Sequence, residues 1–71
     1  MNAGIEEILR VNGVAEPYLP RLLDLLARKG VIGRKGVAVA LNDAVVPASV
    51  WEKTVLRPGD RIEIVRPFGG G

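Results

Sequence analysis

Three glycines follow Phe68 in the run Phe68-Gly69-Gly70-Gly71, directly behind Arg61-Ile62-Glu63-Ile64-Val65, which alternates polar and apolar as a strand does. Glycine has no Cβ, so such a tail can thread a narrow channel in extended or left-handed conformations and let another protein's backbone approach closely. What would emerge at the far side is the free carboxylate of Gly71, which makes the end of the chain its expected reactive part. The rest offers little else. With no cysteine and no histidine, the chain lacks thiol nucleophiles, disulfides and thiolate zinc sites, as well as the commonest catalytic base and metal ligand. It is poorly equipped to be an enzyme by itself.

Composition narrows the remaining classes. At 71 residues, 48% apolar and 25% charged, the sequence fits one small folded domain, residues 1–71, with a flexible tail at 67–71. No apolar run is long enough to span a bilayer, and Met1 to Glu7 lack the basic and apolar pattern of a secretory signal, so the cytoplasm is the expected location. Ten basic and eight acidic residues leave a net charge of only +2, without a basic block. The isolated Tyr18, Trp51 and Phe68 do not interleave with that charge as a single-strand stacking surface requires. Neither nucleic acid nor membrane is an expected partner.

The elements that must position the tail can be read in order. Glu7-Ile8-Leu9-Arg10-Val11 is a β-rich run closed by Asn12-Gly13, a dipeptide suited to a type I′ hairpin because both turn positions need positive φ. A returning strand through Val14-Ala15-Glu16 comes next. Pro20 is expected to open a helix running to about Lys29. In that helix Leu19, Leu22, Leu23, Leu26 and Ala27 form the apolar stripe, and Gly30 takes the left-handed position that stops it. Leu19 offers no side-chain acceptor at the N-terminus, which predicts an irregular start.

Gly33-Arg34-Lys35-Gly36 reads as a mobile connection, leading to Val37-Ala38-Val39-Ala40-Leu41 with Val37, Val39 and Leu41 inward. Asn42-Asp43 turns the chain into Ala44-Val45-Val46, confined to an edge by Pro47, since proline cannot donate to a ladder. Ser49 to Thr54 is expected to form a short helical turn with Trp51 covering one end of the core. Arg57-Pro58-Gly59-Asp60 is a type II turn into the last strand, where Ile62 and Ile64 point one way and Arg61, Glu63 and Val65 the other. One helix covering one face of one sheet is an α+β roll.

The stretch Val37-Ala38-Val39-Ala40-Leu41-Asn42 with Val45-Val46-Pro47, Trp51, the run Arg57 to Pro67, and Gly69-Gly70-Gly71 resembles the ThiS family of sulfur carrier proteins from thiamine biosynthesis. The second half carries the resemblance strongly and the first by pattern; Met1 to Glu6 extend before the first strand, and the segment Glu16-Pro17-Tyr18-Leu19-Pro20 is compressed. The resemblance implies a ubiquitin-like β-grasp, a mixed sheet of four to five strands packed on one main helix. It further implies that Gly71 is adenylated by an E1-like adenylyltransferase using ATP and magnesium, then becomes a thiocarboxylate fed by a sulfur donor protein and consumed by thiazole synthase.

On this reading the chain binds no cofactor of its own. A carboxylate with an ordinary pKa of about 3.5 is ionised at neutral pH and can attack ATP without a side-chain nucleophile. Gly69 and Gly70 are the narrow approach to the partner. Phe68 either anchors that partner or packs locally. Arg61, Glu63 and Arg66 are either solvated charge or docking groups, and Val65 with Ala38 and Ala40 offers a small apolar patch beside them. A molybdopterin synthase small subunit and a ubiquitin-like protein modifier share the same tail logic, and a regulatory or RNA-binding β-grasp module is a further alternative.

Overall fold

The computed structural model describes residues 7–67. The chain runs through strands β1 (Ile8–Val11) and β2 (Val14–Pro17), helix α1 (Leu22–Arg28), strands β3 (Ala38–Leu41) and β4 (Ala44–Val45), a 3₁₀ helix (Ala48–Lys53) and strand β5 (Arg61–Val65). The sheet order is β2-β1-β5-β3-β4. The last strand is thus central, parallel to β1 and antiparallel to β3, while both hairpins pair antiparallel at the flanks. This five-stranded mixed sheet with one α-helix is the expected ubiquitin-like β-grasp.

Alternation fixes the inner face. Leu9, Val11, Val39, Ile62 and Ile64 are buried, and Leu22, Leu25, Leu26, Val31 and Leu56 close over them. Val37 and Leu41 pack at the margin, as does half-buried Trp51, whose Nε1 donates to the Val46 carbonyl at 2.7 Å. Trp51 therefore has a packing role, with its one polar atom satisfied internally. Val45 lies on the edge strand, consistent with Pro47 ending it.

The helix differs from the sequence expectation in extent and in stripe. It spans seven residues, with Arg21 as an extended N-cap and no side-chain cap. Pro20 lies before it rather than in its first turn: the Pro20 carbonyl accepts from Leu56 N–H at 2.8 Å, and Leu22 N–H donates to the Thr54 carbonyl at 3.1 Å. The Thr54 carbonyl thus gives one free N–H of the first turn the acceptor that a capping side chain would otherwise provide, and the Leu56–Pro20 bond fixes the chain entering the helix. Tyr18 adds a third tie, its hydroxyl donating to the Leu56 carbonyl at 2.7 Å. The buried positions are Leu22, Leu25 and Leu26, whereas Leu23 is half-buried and Ala27 exposed. The helix thus starts two residues later than expected and turns Leu25 inward where the stripe had placed Leu23 and Ala27.

At the other end the helix closes as expected. Gly30 has φ +75°, its N–H donates to the Ala27 carbonyl at 3.0 Å, and Val31 N–H donates to the Leu26 carbonyl at 3.2 Å. This is a Schellman closure, with buried Val31 as its hydrophobic contact. Gly33-Arg34-Lys35-Gly36 continues the chain as two turns with a definite path, Arg34 N–H donating to the Val31 carbonyl at 3.1 Å.

Two asparagines do more than turn the chain. Asn12 and Asn42 both have positive φ, at 51° and 48°. After Val11 the chain leaves β5, so the backbone of Ile64 loses its parallel neighbour. The Asn12 amide replaces it, accepting from Ile64 N–H at 2.8 Å and donating to the Ile64 carbonyl at 3.3 Å. Asn42 serves the start of the same strand, accepting from Arg61 N–H at 2.9 Å and donating to the Asp60 carboxylate at 3.0 Å. Asn12→Gly preserves the turn's φ and removes the amide, so it should cost about 1–2 kcal/mol in denaturant unfolding. Hydrogen exchange at the Ile64 amide should accelerate in step; unchanged exchange there would show that the bridge does not support the strand.

Candidate functional site

The position of β5 decides what the tail is attached to. As the central strand it is held on both sides, by β1 at Arg61 and Ile62 and by β3 from Ile62 to Val65, so the residues after Val65 leave from the middle of the sheet. Phe68, Gly69, Gly70 and Gly71, the proposed tail and sulfur-carrying residues, lie outside the described residues. Their attachment point is nevertheless well defined: Arg66 Nη2 donates to the Lys29 carbonyl at 3.1 Å, at the C-cap of α1, and Pro67 lies against Gly36. A cation at this helix end also suits the negative pole of the helix dipole. Lys29 is itself ion-paired with Glu16 of β2.

The face of the sheet opposite the helix carries the other candidates. In register, Val65 lies beside Ala38, and Ala40 lies between Glu63 and Val45. Val65 is 62% and Val45 78% exposed, so these residues form an apolar area on the β5-β3-β4 side. Val65, Ala38 and Ala40 are the residues that strand alternation places there; Val45 escapes that reasoning, because the edge-strand argument gives no face for it. The strand pairing of Val45 with Ala40 supplies it.

Charge lies toward the opposite end of the same strand. Arg61 is paired with Asp43 at 2.9 Å, both well exposed, and Arg10 lies beside Arg61 in the parallel register. Glu63 is exposed midway between Arg61 and Val65. The face is therefore graded, basic and acidic groups at the start of β5 and apolar groups where the strand gives way to the tail. Arg66 separates from this set, since its guanidinium turns to the helix end.

That grading suits a docking surface. Apolar area placed beside the tail can be desolvated by a partner, while peripheral charges orient the encounter and contribute little by themselves. No helix among the described residues is long and apolar enough to cross a membrane.

Comparison with known proteins agrees with the fold and with the motifs of the second half. The solved structure of a thiamine biosynthesis protein (ThiS) from Geobacter metallireducens is similar, with a TM-score of 0.73 and 28% sequence identity over 90% of this chain and 99% of that one. No curated protein matches the chain. The ThiS family model matches residues 6–71, so the match takes in the helix, the whole sheet and the glycine run, and leaves out only the first five residues. The chain belongs to the ThiS family.

Proposed function

We propose that this protein carries sulfur for thiazole formation in thiamine biosynthesis, as a thiocarboxylate on Gly71. The observation that carries the reading is the family match across residues 6–71, which includes the glycine run together with the strand that presents it. A carboxylate oxygen of Gly71 attacks the α-phosphorus of ATP in an E1-like adenylyltransferase, with magnesium on the nucleotide, and pyrophosphate leaves. A persulfide sulfur of a donor protein then displaces AMP from the acyl adenylate to give an acyl disulfide, and a thiol reductant cleaves its S–S bond to release the thiocarboxylate and the donor's thiol. Thiazole synthase takes the sulfur, and an oxygen from its substrate or from water restores the carboxylate.

The folded body acts as the handle in this cycle. Val65, Ala38, Ala40 and Val45 supply the apolar contact to the activating partner, with Arg61 and Glu63 at its margin and Phe68 as an anchor at the base of the tail. Four residues beyond Pro67 can span about 13 Å when extended, enough to reach a buried nucleotide from a docked body.

Intact mass after incubation with ATP, magnesium, the cognate activating enzyme and a sulfur donor should show one oxygen exchanged for sulfur. Absence of that product, where a positive-control carrier yields it, would remove the proposal. The docking face is tested separately. Val65→Lys should raise the KM of activation at least about tenfold while leaving kcat within about twofold, the size expected when one interfacial contact of roughly 1.4 kcal/mol is lost. Val14→Lys, at a similarly exposed position on β2, should leave both constants alone. Equal behaviour of the two variants would place the docking surface elsewhere.

A further inference from the structure

Gly36 and Pro67 meet where the tail begins. Gly36 has φ +81°, and a Cβ built on it would lie 2.9 Å from Pro67 Cγ and 3.5 Å from Pro67 Cβ. The first distance is shorter than carbon atoms tolerate, so any side chain at position 36 must push Pro67 away or move itself. One residue earlier, Arg66 is held by the Lys29 carbonyl. The 29–36 segment thus holds both of the described residues that come after β5, one by a hydrogen bond at the helix end and one by contact with a bare backbone. Pro67 has a fixed φ of its own, so a displacement of its ring is passed to the residues after it rather than absorbed at that bond.

Resting on the carrier function, we propose that Gly36 is a positioning residue for the reactive tail: its missing side chain makes the seat for Pro67, the residue through which the body presents that tail to its partner. Gly36 touches neither nucleotide nor carboxylate. It acts through Pro67, on a body whose docking face is on the other side of the sheet from the helix. A change there should therefore alter how well the docked carrier presents its end, and not how tightly it docks.

The chain contains its own control. Gly33 has the same φ of +81° but nothing within 4 Å of a built Cβ. Gly33→Ala and Gly36→Ala therefore carry the same backbone strain, and only the second meets Pro67. Both should lower the unfolding midpoint, Gly36→Ala by at least as much as Gly33→Ala. In activation by the cognate adenylyltransferase, Gly33→Ala should stay within about twofold of the parent. Gly36→Ala should lose tenfold or more in kcat with KM little changed, a part of the roughly hundredfold that misplacing a reacting group by about an ångström costs. A nuclear Overhauser contact between Gly36 Hα and the Pro67 ring, present in the parent, should weaken in Gly36→Ala alone.

Removing the offending atoms completes the cycle. Alanine at 67 lacks Cγ and Cδ, so in a Pro67→Ala background Gly36→Ala should cost no more than Gly33→Ala does. If Gly36→Ala and Gly33→Ala activate equally while the parent is a good substrate, the positioning role is wrong and the carrier function stands. If Gly36→Ala remains as slow in the Pro67→Ala background, its effect does not pass through the seat and the inference is overturned. A parent that is never adenylated overturns the carrier function, and the positioning role falls with it.

Discussion

Gly70→Val should abolish adenylation while leaving the folded body intact. The reasoning is steric. A carboxylate that must reach a nucleotide inside another protein has to bring its backbone through a passage, and a β-branched side chain adds bulk there and removes much of the φ and ψ freedom that glycine has. Loss of activation should be at least on the order of a hundredfold in kcat/KM, comparable with other cases in which a reacting group is held an ångström from its place. Stability should not change with it. The ten buried core side chains among the described residues lie between Leu9 and Ile64, and the substitution alters none of them, so the denaturant midpoint of Gly70→Val should match the parent. Efficient adenylation of this variant would refute the narrow passage, although not the use of the carboxylate.

The expectation of a reactive tail comes from the sequence because it depends on composition and order alone. A chain without cysteine or histidine that places three glycines behind an alternating strand leaves few chemical options. The outward positions of Arg61, Glu63 and Val65 are legible for a similar reason, since strand alternation has a period of two and Ile62 and Ile64 fix its phase. Beyond Val65 that legibility ends. Strand phase groups Arg66 with the outward charges, yet its guanidinium turns to the Lys29 carbonyl across 37 positions in sequence. Gly36 reads as part of a connection because its contact is with a residue 31 positions away. Both depend on β5 being central in the sheet, which a linear pattern does not specify.

Turns transfer well from sequence to structure for a physical reason. Asn12-Gly13, Asn42-Asp43 and Gly59 all have the positive φ values their types require, and that preference is local to one or two residues. The second role of the asparagines is hidden. Ser, Asp, Gly and Asn can all turn a hairpin, but of these only the carboxamide carries its donor and its acceptor on two separate atoms, and here each asparagine uses both on β5 or the residue before it. Asparagine at a turn that ends a strand short of its neighbour is the signal that points to this role.

The largest expected loss of stability comes from the helix, where the sequence stripe and the structure disagree. A helix of seven residues has almost no stability alone, so α1 exists because its leucines are buried on the sheet. Leu25 is fully buried beside Leu22 and Leu26, whereas Leu23 is half-buried. Leu25→Ala should therefore cost about 3 kcal/mol, from lost burial plus the cavity left in a close-packed interior. Leu23→Ala should cost about 1 kcal/mol, since part of its surface already meets water. A domain of this size has only about 4–10 kcal/mol in total, so Leu25→Ala removes a large fraction of it and should speed amide exchange across β5 as well as α1. Denaturant titration of the two variants decides between the stripes. A larger loss from Leu23→Ala would mean that the helix faces the sheet as the spacing predicts, rotated from an orientation with Leu25 inward. Function should respond in the same order: Lys29, whose carbonyl holds Arg66, is the C-cap of this helix. Loosening α1 through Leu25 should therefore slow activation more than the fraction of unfolded protein accounts for, while Leu23→Ala should slow it only in proportion to unfolding.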